Sequence, residues 1–283
     1  MSVATSNGCV EVSERPNIRL FYTIDGPLDG SRDVLVLSNS LAATTQLWDE
    51  FVSDFVPEYT VLRYDARFHG KSPLTSEPGF DYAKGHTIED LADDVIKILD
   101  HLKIKKVKAI VGLSIGAAGG LIVGAKHPHR VEHVVVVGTR ARSNPDSNAA
   151  HTYRIKFGYE NGPLALGRQS IARWFDEGWR TANPEKAAHA EEIYCKQSIE
   201  GYEASIAALR PMDLMPFAAD IGKRGDGGRF AFVAGEWDGN VPQESNELAD
   251  QMGSEVFIVT ESGHITPIQQ PKALHDIVRK VIA

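Results

Sequence analysis

The sequence predicts an α/β fold: a mostly parallel central sheet flanked by helices, with a helical cap inserted before the last two strands. Three observations predict it. Short apolar runs such as Val34-Leu35-Val36-Leu37 and Val134-Val135-Val136-Val137 alternate with segments of helical period, the pattern of strands buried on both faces. From about Ser143 to Gly228 that rhythm gives way to helical sequence rich in aromatics and arginines, with no convincing strand. The strand pattern then resumes at Phe230–Ala234 and Val256–Val259.

Each element has a local reason. Ile18–Ile24 alternates and is rich in β-branched and aromatic residues, as a strand with one wet face should be. Asp25-Gly26-Pro27 ends it. Val34–Leu37 and Tyr59–Tyr64 are the next strands. Thr87 can cap a helix, with Asp90 three residues on as an imperfect capping box. Ile88, Leu91, Val95, Ile98, Leu99 and Leu102 share one face of that helix. Strand Val107–Val111 follows, then a small-residue helix after Ser114, then strand Val134–Val137. Lys272–Ile282 is a closing helix with Pro271 near its first turn. The expected partition is a first core segment over 1–142, a cap over 143–228 and a second core segment over 229–283.

Composition narrows the function. A net charge of −8 argues against general affinity for nucleic acid or an anionic membrane. No run of 18 apolar residues is present, so no membrane span is expected. The start, Met1–Asn7, lacks a basic region followed by an apolar core, so no secretory signal is read there. Two cysteines, Cys9 and Cys195, make no disulfide framework and fit a reducing, cytoplasmic setting. The expected partner is a small-molecule substrate. No cofactor or metal is expected: His127, His129 and His133 are loosely spaced like ligands, but Lys126-His127-Pro128-His129 reads as an exposed helix end.

The chemistry centres on Gly112-Leu113-Ser114-Ile115-Gly116, a Gly-x-Ser-x-Gly turn between a strand and a helix. Such a turn strains the serine backbone and projects its hydroxyl from the top of the sheet. A free hydroxyl is a poor nucleophile, so Ser114 needs a base, and the base needs an orienting acid. Strand Phe230–Ala234 runs into Asp238, and strand Val256–Val259 runs into Gly263-His264. The chain order Ser114, Asp238, His264 suits this fold, with Glu236 as the competing acid. The developing oxyanion needs two N–H donors, for which Ile115 and Ser40 are the candidates, with Leu41 next to Ser40. Arg142 is the candidate contact for an anionic substrate, with the cap arginines behind it. Trp48, Trp174, Trp179 and Tyr153 are candidates to line an apolar pocket.

These residues resemble the α/β-hydrolase fold enzymes, and within them the 3-oxoadipate enol-lactonases. Leu37-Ser38-Asn39-Ser40-Leu41 is similar to that group's oxyanion loop, and Arg63–Ser72 looks like its Tyr-Asp-x-Arg-Gly-His-Gly-x-Ser segment. Arg173-Trp174-Phe175 and Glu200-Gly201-Tyr202 resemble its cap, and Gly263-His264 followed by Gln270-Pro271 its terminal histidine motif. The elbow and triad are common to hydrolases of many activities; only the oxyanion loop and cap stretches point to enol-lactonases. Phe68 stands where that loop usually has glycine, and Arg140 is an additional arginine beside Arg142. The resemblance implies a lactone or other ester and an acyl-enzyme. The same triad also serves C–C hydrolases, lyases, cofactor-free haloperoxidases and slow-turnover receptors for small molecules.

Overall fold

One eight-stranded sheet organises the protein, whose computed structural model describes residues 5–283. Part of the N-terminal stretch read for a targeting signal, residues 1–4, lies outside them. The strands are β1 (Thr5–Glu14), β2 (Asn17–Asp25), β3 (Val34–Ser38), β4 (Thr60–Tyr64), β5 (Val107–Leu113), β6 (Val131–Val137), β7 (Phe230–Gly235) and β8 (Glu255–Val259). Their spatial order is β1-β2-β4-β3-β5-β6-β7-β8. β2 pairs antiparallel with both β1 and β4, and every other pairing is parallel.

The strand β1 was not expected from the sequence. Its buried side chains are only Val10 and Val12, and the rest of it is polar or exposed. A polar strand suits a sheet edge, where an apolar one would invite pairing with other chains.

Register decides where function can sit. Ser38 pairs with Gly112, Leu113 with Val137, Val137 with Val233, and Gly235 with Val259. The loops after β3, β5, β6, β7 and β8 therefore leave the sheet along one edge, where open α/β sheets place their ligands. Helices Ile88–His101, Ile115–Lys126, Met215–Arg224 and Val241–Met252 pack in a row, and Asp49–Phe55 packs with Pro271–Ile282. Ile115 to Ala125 are all buried, which is why that helix is apolar on every face. At the Ile88–His101 helix the capping box is complete: Thr87 Oγ1 accepts from the Asp90 N–H at 3.0 Å, and the Asp90 carboxylate from the Thr87 N–H at 2.8 Å.

The insertion is helical. It comprises Pro145–Trp174, kinked at Gly162 (φ 83°) ahead of Pro163, then Glu177–Ala182, Pro184–Tyr194 and Ile199–Leu209. An antiparallel bridge between Arg142 and Asp213 closes its base. The next helix, Met215–Arg224, falls inside the expected cap range of 143–228, yet it packs on Ile115–Lys126 and Val241–Met252 beside the sheet. Its amphipathic sequence looks the same from either location. Among the described residues no helix is long and apolar enough to cross a membrane.

Phe68 shows what its substitution for glycine does. Its φ is 66°, a left-handed value that favours glycine. Its ring is buried against Phe80, Tyr82 and His86, with centroids 5.5, 5.2 and 6.1 Å away. The backbone strain costs about 1–2 kcal/mol, while truncating a buried phenylalanine costs about 3–5 kcal/mol. Packing wins, so Phe68→Gly is expected to destabilise the protein by about 2 kcal/mol, read as a lower urea midpoint. An unchanged or higher midpoint would show that the aromatic cluster does not offset the strain.

Candidate active site

Ser114 directly follows β5 and precedes the Ile115–Lys126 helix with φ 56° and ψ −117°, a conformation costing on the order of 1–3 kcal/mol outside glycine. Its N–H donates to the Val137 carbonyl at 2.8 Å, tying the turn to the adjacent strand. Its hydroxyl makes no capping bond to the helix it opens. The flanking glycines permit the bend. A Cβ at Gly112 would stand 2.5 Å from the Gly116 carbonyl oxygen, and one at Gly116 would stand 2.5 Å from the Ser38 and Asn39 carbonyl oxygens.

Asp238 and His264 leave the ends of β7 and β8 and meet: the carboxylate Oδ2 lies 2.7 Å from imidazole Nδ1. Their loops are joined by the backbone, Glu236 N–H donating to Val259 at 2.9 Å and Trp237 N–H to Ser262 at 2.8 Å. The competing acid, Glu236, accepts instead from the Glu261 N–H at 3.1 Å. Gln269 Oε1 receives the Gly263 N–H at 2.9 Å and steadies the residue before the imidazole. Ser114, Asp238 and His264 line one cavity. Among the described residues no hydrogen bond joins the Ser114 hydroxyl to the imidazole; catalytic hydrogen bonds often close only around substrate.

The Ser38–Ala42 loop faces Ser114 from the end of β3. It is held from below. Asn39 donates through Nδ2 to the Tyr64 carbonyl at 2.8 Å and accepts at Oδ1 from the Trp48 indole at 2.9 Å. Ser38 Oγ and Tyr64 OH lie 2.7 Å apart, and burial pushes the Tyr64 phenol well above its usual range. Ser40 Oγ is 2.9 Å from the hydroxyl of cap residue Tyr194. Ile115 is the first residue of its helix, so its N–H has no partner within that helix. Ser40 and Leu41 both line the cavity that Ser114 opens into.

That cavity, about 540 Å³, is lined by four arginines, Arg140, Arg142, Arg154 and Arg173, and by His151. Arg140 and Arg142 face Glu244 and Glu247, whereas Arg154 and Arg173 form no ion pair among the described residues. Arg173 opens onto the cavity, yet loss of bulk water around it and the Arg154 charge pull its pKa down to about 10. Burial, then Arg154, Arg210, Arg173 and Arg140, hold His151 down to about 4. His151 is therefore neutral near pH 7, and its buried Nδ1 has no partner among the described residues. The opposing acids on the cavity wall are Asp146 and Asp238.

A family model described as the alpha/beta hydrolase fold matches residues 33–166. The chain has the α/β-hydrolase fold. It is 27% identical to a 3-oxoadipate enol-lactonase of Acinetobacter baylyi, over 94% of each chain. A provisionally named carbamate hydrolase of Stutzerimonas stutzeri is 22% identical, over 92% of this chain and 95% of its own. The crystal structure of an enol-lactonase from Burkholderia xenovorans LB400 superposes with a TM-score of 0.81 at 28% identity, covering 94% of this chain and 96% of that one.

Within this α/β hydrolase the elements bring together Ser114, Asp238, His264, Ser40 and Trp174 around one cavity, with Ile115 beside Ser114. Three residues expected to line it lie elsewhere. Trp48 is fully buried, and its indole N–H finds a partner in Asn39 of the Ser38–Ala42 loop. Tyr153 is 59% exposed on the cap helix, packed against Phe157 rather than turned inward. Trp179 stacks on buried Phe175. Arg142 reaches the cavity wall, but its guanidinium is engaged by Glu247. Among the described residues, the cavity arginines without an acid partner are Arg154 and Arg173, the latter over the Trp174 ring. These lie 19 positions apart on one kinked helix, and no local sequence pattern links them.

Proposed function

We propose that this hydrolase opens a carboxylate-bearing lactone, or a small ester of like charge, through an acyl-enzyme on Ser114. The observation that carries the reading is the strained Ser114 turn sharing a cavity with the Asp238–His264 pair and two guanidiniums without acid partners. Ser114 Oγ attacks the carbonyl carbon while its proton passes to His264 Nε2. The Asp238 carboxylate holds the proton on Nδ1 and stabilises the imidazolium. The Ser40 and Ile115 N–H groups receive the oxyanion, each donor being worth on the order of 100- to 1000-fold in rate. The C–O bond of the ring then breaks, and its oxygen takes the proton from Nε2. Water, losing a proton to the same nitrogen, attacks the acyl carbon and frees the serine. The names of the enol-lactonase relatives support a lactone as the substrate class.

Arg154 and Arg173 supply the charge selectivity in this reading. A hydrogen bond to a charged group contributes about 1.5–3 kcal/mol, so Arg154→Ala and Arg173→Ala should each lower kcat/KM for a carboxylate-bearing lactone about 10- to 100-fold. The methyl ester of the same lactone should change by less than about threefold. A panel of lactones differing in ring size and charge, with products weighed by mass spectrometry, tests both claims. Addition of one water to the carboxylate lactones is expected. Equal losses on charged and neutral substrates would remove the anion-binding role, and no ring opening across the panel would remove the lactonase reading.

A further inference from the structure

The cap touches the catalytic groups themselves as well as the substrate cavity. The Trp174 indole lies over the His264 imidazole, centroids 5.7 Å apart and planes within 26°. The Tyr194 ring meets the same indole edge-on at 4.9 Å. The Tyr194 hydroxyl stands 2.9 Å from Ser40 Oγ on the oxyanion loop. Both Tyr194 and Ser40 are buried, so their pairing is shielded from competing water. The backbone adds a further contact: a Cβ at Gly263 would stand 2.7 Å from the Trp174 carbonyl oxygen. The cap's main chain thus packs directly on the residue before the imidazole.

We infer that Trp174 and Tyr194 are positioning residues that lock the imidazole of His264 and the oxyanion loop at Ser40 into one rigid arrangement. The inference rests on the acyl-enzyme reading of Ser114. Two catalytic parts from opposite ends of the chain, β3 and β8, need a fixed spacing, and the core sheet supplies it only through loops. The aromatic pair supplies it directly. Its link to Ser40 is one hydroxyl contact, and its link to His264 is one stacked face. A displacement of about 1 Å in such groups can cost about 100-fold in rate. The indole face also favours the imidazolium formed during transfer.

The test uses hydrolysis of 4-nitrophenyl acetate, a small neutral ester that needs nothing from the arginines. Tyr194→Phe keeps the ring and removes only the hydroxyl; it should lower kcat about 5- to 20-fold with KM within about threefold. Trp174→Leu removes the stacked face and should lower kcat by 10-fold or more, again with little change in KM. Trp174→Phe keeps an aromatic face and should recover most of that loss. Thermal melting of each variant separates a lost fold from a lost alignment, and Tyr194→Phe is mild enough to keep the test decisive. A raised KM with unchanged kcat would overturn the inference by making these residues mere cavity wall. So would a Trp174→Phe variant as slow as Trp174→Leu, or a fully active Tyr194→Phe. If the unaltered protein does not cleave the ester at all, or Ser114→Ala cleaves it equally fast, the acyl-enzyme reading falls and the inference falls with it.

Discussion

Ser114→Ala is expected to lower kcat for ester or lactone hydrolysis by on the order of 10,000- to 1,000,000-fold, with the fold unchanged. In the proposed mechanism the loss is large because the hydroxyl forms the covalent bond, and no neighbouring side chain can replace it. Cys195, a buried cysteine in the cap, does not line the cavity that Ser114, Asp238 and His264 share. The fold should survive because the hydroxyl caps no helix and Ala117, Ala118 and Leu121 bury the helix without it. Alanine inherits the strained φ of 56°, so the melting temperature should move little. Ser114→Gly should be equally inactive but more stable, by about 1–2 kcal/mol, because glycine adopts that backbone conformation freely. Denaturant midpoints and initial rates of both variants check the pair. Residual turnover of the alanine variant near the wild-type rate would eliminate the serine mechanism. Equal stability of the two variants would show that the turn stores no strain.

Much of this was legible from the sequence, for identifiable reasons. The inner strands β3, β6 and β7 are written around short apolar runs, because strands buried on both faces leave little room for polar residues, and β2 is legible by its alternation. The turn at Ser114 is legible because five consecutive residues encode it, and the glycines are there to let carbonyl groups approach within contact distance. The pairing of Asp238 with His264 follows from where two neighbouring strands end. What stayed hidden is of two kinds. β1 and the Met215–Arg224 helix have ordinary local sequence and acquire their place only through packing. The cap residues that shape the cavity come together across long separations. Arg154 and Arg173 face it from two halves of a kinked helix, and Trp174 meets His264 from 90 positions away. An indole in a sequence is equally suited to lining a pocket or fastening a loop; Trp174 does the first and Trp48 the second. Only the contacts of each, fixed by tertiary structure, separate the two: Trp48 donates to Asn39, whereas Trp174 packs on Tyr194 and His264.

Asp238→Asn should lower kcat about 10,000-fold while leaving KM near its original value. The substitution keeps size and position and changes one thing, the direction of hydrogen bonding to Nδ1. In the proposed mechanism the carboxylate at 2.7 Å only accepts, so it holds the proton on Nδ1 and leaves Nε2 free to take the serine proton. An asparagine amide can present its NH2 to Nδ1 instead. The imidazole then carries its proton on Nε2, facing Ser114, where it cannot act as base. The variant also withdraws the negative charge that steadies the imidazolium. Glu236 offers no substitute, because its carboxylate is turned to the Glu261 N–H. Asp238→Asn therefore distinguishes an acid that sets the tautomer from one that only braces the turn. A bracing role predicts a lowered melting temperature with a modest loss of rate. The tautomer role predicts a nearly unchanged melting temperature with a rate close to that of Ser114→Ala, and Glu236→Gln should leave the rate within about threefold and the unfolding free energy within about 0.5 kcal/mol of the unaltered protein.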